Sequence, residues 1–112
     1  MTPRLASDVL VRALRDKAQA EGGFATVLSK GDAQAGSVLL VLAERGVRRS
    51  AMERLLDPDG NYRWRTVGEE AANPESIEKF LSSRQKFDPD LWILELDIAS
   101  AERFAAEMTA FD

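Results

Sequence analysis

A chain of 112 residues is long enough for one domain with one core, and its apolar and charged fractions are those of an ordinary globular protein. It contains no cysteine and no histidine. That excludes disulfide frameworks, thiolate metal sites, Cys-His and Ser-His-Asp catalysis, and nearly all zinc and haem sites, leaving carboxylates, Lys, Arg, Tyr and backbone groups for any chemistry. The net charge of −4 is unevenly spread: residues 1–66 carry eleven basic and eight acidic side chains, the remainder four and eleven. Such polarity can steer a charged partner, but it also describes a solvated surface whose halves attract each other.

Leu5 to Ala20 reads as an amphipathic helix with Val9, Leu10, Ala13, Leu14 and Ala18 along one side. Ser7 is the expected N-cap, and Glu21-Gly22-Gly23 the stop. Phe24 to Lys30 alternates as a strand. Gly31 to Gly36 is a loop, and Ser37 to Glu44 is a near-continuous apolar strand expected at the centre of its sheet. Arg45 to Arg49 reads as a turn and Ser50 to Leu56 as the next strand. Asp57-Pro58-Asp59-Gly60 then closes a hairpin onto Asn61 to Val67, with Tyr62, Trp64 and Thr66 facing the core and Arg63 and Arg65 outside. After a polar connection over Gly68 to Ala72, Asn73-Pro74-Glu75 starts a helix that Asp88-Pro89 stops near Phe87.

The strongest strand pattern follows. Trp92, Leu94, Leu96 and Ile98 share one face, while Leu91 and Ile93 begin the other and Glu95 and Asp97 finish it. Ser100 caps a final helix whose Phe104, Met108 and Phe111 lie on one side. Residues 1–112 are therefore expected to form an α+β domain in the order α-β-β-β-β-α-β-α. Its sheet should be mostly antiparallel, of about five strands, with helices packed on it.

The candidate sites are modest. Arg45, Arg48 and Arg49 in one turn, with Arg63 and Arg65 on a strand, form an arginine face for a protein partner or an anion. Interleaved Trp64 suggests single-stranded nucleic acid, but strand alternation points it away from both arginines and the overall acidity argues against that reading. Asp88 and Asp90 flank Pro89 and are weak candidates for a metal of hydrolysis. Turn formation explains both more simply. Asp57 to Asn61 has the opening of a calcium loop but holds Tyr62 and Gly68 where glycine and glutamate are needed. The glycines at 31 and 36 lack the lysine and following helix of a phosphate loop.

Taken together, Gly31-Asp32, Ala35-Gly36-Ser37-Val38-Leu39-Leu40, Tyr62-Arg63-Trp64, Pro74-Glu75-Ser76-Ile77 and Phe87-Asp88-Pro89-Asp90-Leu91-Trp92-Ile93-Leu94-Glu95-Leu96 resemble the alphaproteobacterial domain-of-unknown-function family number 1491. The resemblance runs from about Leu5 to about Phe104 and implies a bacterial, cytoplasmic, single-domain protein. It carries no activity, cofactor or catalytic residue to transfer. The start of the chain lacks a signal-peptide pattern, and the apolar run from Val38 to Ala43 falls far short of the ~20 residues of a bilayer span. The expectation is a non-catalytic cytoplasmic binding or assembly module without a cofactor or membrane contact. It would touch protein or itself, as a homodimer, through the arginine face or the C-terminal helix.

Overall fold

The apolar residues between positions 91 and 98 cannot all be hidden at a sheet margin, and they are not. The computed structural model describes residues 5–67 and 74–110. The elements in chain order are α1 (Ser7–Ala20), β1 (Phe24–Ser29), β2 (Val38–Glu44), β3 (Val47–Leu56), β4 (Tyr62–Val67), α2 (Pro74–Phe87), β5 (Trp92–Asp97) and α3 (Ala101–Ala110). The strands form one sheet in the order β1-β5-β2-β3-β4, so β5 is interior.

The expected α+β element order holds, but the sheet is mixed. β5 pairs antiparallel with β1 and parallel with β2, matching Leu40 to Leu94 and Leu42 to Leu96. The reason is the connection. β2, β3 and β4 run as an antiparallel meander, so β4 points the same way as β2. The helix α2 then carries the chain back, and β5 enters in the direction of β4, a strand-helix-strand crossover that produces a parallel neighbour.

Both faces of the sheet are covered. Leu40, Leu42, Met52, Trp64, Trp92, Leu94 and Leu96 meet Val11 and Leu14 of α1 and Phe104 and Met108 of α3. On the other face Leu39, Val41, Ala51, Leu91 and Ile93 meet Ile77 and Leu81 of α2. This accounts for the unbroken apolar run of β2, whose residues are all buried except Glu44.

Two local expectations change. Ser7 is the first residue of α1 rather than its N-cap, which is Ala6 without a side-chain bond. Carbonyls of Gln34 and Ala33 accept the N–H groups of Ser7 and Asp8. The Ser7 hydroxyl is therefore spare and donates to the Gly36 carbonyl at 2.5 Å. The turn expected at 45–49 is two residues, Arg45 and Gly46, at φ 51° and 80°. Positive φ at both positions matches the right-handed twist of a hairpin, so β3 begins at Val47. The hairpin at Asp57 to Gly60 is as expected, with Gly60 at φ 86° and its N–H donating to the Asp57 carbonyl. Asn73, the connection at 68–72 and Phe111 lie outside the described residues.

The loop between β1 and β2 closes over the start of β5. The Trp92 indole N–H donates to the Asp32 carbonyl at 2.7 Å and the Trp92 amide to the Ser37 carbonyl at 2.8 Å. Asp32 N–H donates to the Asp90 carbonyl at 3.0 Å. A methyl group at Gly31 or Gly36 would overlap the Asp90 carbonyl oxygen, so close backbone approach requires glycine at both positions. Gly31→Ala is expected to lower unfolding stability by about 2 kcal/mol or more in urea denaturation, the scale of a forced overpacking, with an unchanged m-value.

Candidate functional site

The five arginines of the expected face are separated by the register. Arg63 and Arg65 lie opposite Leu55 and Glu53 of β3, whereas Arg48 lies opposite Ala43 at the far end of that strand. Five residues of extended chain between Arg48 and Glu53 are about 16 Å. Arg48 turns under α2, donating to Glu95 at 2.7 Å and pairing with Glu78. The hydrogen bond to Glu95 is the main reason its guanidinium is held above its ordinary pKa. Arg49 pairs with Glu44 at 3.5 Å. Arg63 and Arg65 both clasp Asp57, at 2.5 and 3.1 Å. Among the five, Arg45 takes no side-chain partner among the described residues.

Asp88 and Asp90 serve the turn into β5. The Asp88 carboxylate accepts the Asp90 N–H at 3.1 Å, and its carbonyl accepts the Leu91 N–H. Among the described residues no three acidic, His or Cys side chains converge as a metal cluster would. Of the C-terminal stripe, Phe104 and Met108 are core residues facing the sheet.

Beneath α2 lies the most deeply placed carboxylate, Glu53, only 4% exposed. Arg84 grips it with two bonds at 2.6 and 2.7 Å. This hydrogen-bonded pairing, partly opposed by burial, raises the Arg84 pKa. Each charge needs the other there, so the pair anchors α2 to β3 rather than serving a ligand.

Two of the expected arginines do reach a concavity. Arg45 and Arg49 line a depression of about 580 Å³ where β2 and β5 end together, with Phe24, Val47, Ile98 and Ala99 as its apolar members. Its acids are committed. Asp97 accepts the N–H groups of Arg45 and Gly46 at 3.0 and 2.7 Å, and Glu44 accepts the first N–H of α3 at 2.6 Å.

Sequence reasoning missed the surface that runs on from Phe24. β1 hydrogen-bonds to β5 on one side and, among the described residues, has no strand on the other. Its Phe24 is 74% exposed, Val27 46% and Leu28 38%. It has no proline and no charge between Phe24 and Ser29, the usual devices that protect a sheet margin. One irregularity in pairing, between Val27 and Ser29, bends its last part. The signal existed in the sequence as apolar residues at both alternating positions, but the same pattern describes a doubly buried strand.

Comparison with known proteins follows this architecture. The family model described as "Protein of unknown function (DUF1491)" matches residues 5–106. The solution structure of a DUF1491 family protein from Caulobacter crescentus CB15 is 30% identical, with a TM-score of 0.78, over 88% of this chain and 90% of that one. A crystal structure of a DUF1491 family protein from the same organism gives 30% identity and a TM-score of 0.75, covering 84% and 88%. A protein from A. tumefaciens, solved in solution, is 27% identical at a TM-score of 0.73, covering 88% and 89%. No curated protein matches. No helix among the described residues is long and apolar enough to cross a membrane.

Glu53→Ala leaves the Arg84 guanidinium half-buried without its carboxylate and is expected to cost about 3 kcal/mol. A double Glu53→Met, Arg84→Met variant should recover most of that loss in the same denaturation experiment.

Proposed function

The chain belongs to the DUF1491 family, and from its geometry we propose that it is a non-catalytic assembly module whose β1 strand pairs with β1 of a second copy. The observation that carries this reading is the unprotected margin of β1 with Phe24, Val27 and Leu28 exposed on it. Antiparallel pairing of two identical strands is self-complementary about a two-fold axis. It would join the two five-stranded sheets into one.

Charge supports the same arrangement. Glu21 precedes the strand and Lys30 follows it, with none between, so antiparallel copies bring opposite flanks toward each other. A strand of six residues is about 20 Å long, which places the contact among small, weak interfaces. The arginines expected to contact a partner are mostly paired inside the molecule, which leaves the apolar margin as the better surface.

Light scattering across a concentration series tests this. The wild-type protein should shift from monomer to dimer with rising concentration. Phe24→Lys with Val27→Lys, both at exposed positions, should stay monomeric at an unchanged melting temperature. A wild-type chain that remains monomeric up to ~1 mM, where a contact of millimolar Kd is half formed, overturns the reading.

A further inference from the structure

The arginine that the sequence reading passed over is Arg54. It lies near the end of β3, opposite Trp64 of β4, with its guanidinium 5.5 Å from the centre of the Tyr62 ring. Its Nε is buried without a hydrogen-bond partner, the one such side-chain nitrogen or oxygen among the described residues. It forms no ion pair there either, in a protein whose Arg48, Arg49, Arg63, Arg65 and Arg84 all hold carboxylates. A desolvated guanidinium donor left unmatched is costly, and a chain rich in acidic residues had many ways to match it.

Arg54 forms part of the wall of a groove of about 240 Å³ between the start of α1, the start of β2 and the β3–β4 hairpin. Among the described residues it is the only charged one in that wall. Leu5, Leu10, Val38 and Leu56 supply apolar surface, and Ser37 and Tyr62 bring hydroxyl groups. Leu5 and Leu56, both in its lining, are 49% and 59% exposed. The volume is below the ~300 Å³ at which drug-sized pockets begin, so the occupant is small.

The geometry points to this groove as a binding site for a small carboxylate with a short apolar body, gripped by the Arg54 guanidinium. A planar guanidinium already stacked near an aromatic ring is preorganised for two parallel bonds to a carboxylate. The apolar body then covers the exposed leucines. Inorganic anions satisfy the charge but not the walls, and alcohols satisfy the walls but not the charge.

NMR titration of the intact chain tests this with hexanoate, hexanol and inorganic phosphate as probes, together with a short Ala-Leu peptide ending in a free or an amidated C-terminus. Hexanoate or the free-terminus peptide should shift the amide signals of Gly36, Arg54 and Tyr62 saturably. Hexanol, phosphate and the amidated peptide should bind about tenfold more weakly or not at all. Preference for hexanoate identifies a free acid as the source, and preference for the free-terminus peptide identifies a chain terminus. Arg54→Gln should weaken the preferred probe by about tenfold. Leu56→Asp, at the exposed lip, should do the same without touching the core. Absence of saturation by both carboxylates, or unchanged affinity in a folded Leu56→Asp variant, overturns the proposal. The titration reads the same in the Phe24→Lys, Val27→Lys chain, so its outcome is independent of self-association.

Discussion

The fold depends on the closure of the loop at 31–37 over the first residues of β5. Backbone meets backbone there: Asp90 and Asp32 are joined by a hydrogen bond, and Trp92 is held from its amide and from its indole. The same loop gives the carbonyls of Ala33 and Gln34 to the start of α1 and that of Gly36 to Ser7. One short segment thus satisfies orphan donors of a helix and fixes where an interior strand begins. The residues that carry the family resemblance, Gly31, Asp32, Gly36 and Ser37 on one side and Asp90 to Trp92 on the other, meet in this contact. Their duty on this geometry is structural, since each bond is made within the chain.

Interior placement of β5 decides what the rest of the surface looks like. Because α2 returns the chain across one face, β5 enters between β1 and β2 and separates two strands that adjoin in sequence. β1 is left with one partner and an open margin. β4 is the other margin, and its Arg63 and Arg65 are engaged by Asp57 of the preceding turn. The two margins are therefore unlike: one is charged and internally paired, the other apolar and bare. Charged margins resist pairing with other chains, and bare ones invite it.

Ion pairs repeat the same logic on a smaller scale. The charge asymmetry along the chain is used for joining elements through Arg48 to Glu78 and Glu95, while Arg84 to Glu53 joins the same two parts in the opposite sense. Attraction between a basic first half and an acidic second half is realised as contacts across the sheet and under α2. Against that background Arg54 stands out because no acid among the described residues reaches it.

By itself the sequence determined the elements, their order, and which faces of β2, β4 and β5 are apolar, because side-chain periodicity and turn chemistry are local. It also specified the hairpin at Asp57 to Gly60, where proline and glycine impose the backbone. It could not determine that β5 runs parallel to β2, that Gly31 and Gly36 exist to admit Asp90, or that five arginines thought to share a face are dispersed. Those facts depend on partners tens of residues away. Burial of Phe24 and Val27 could not be judged either, since an apolar strand reads alike whether a neighbour covers it or not. Only strand order says that, among the described residues, none does.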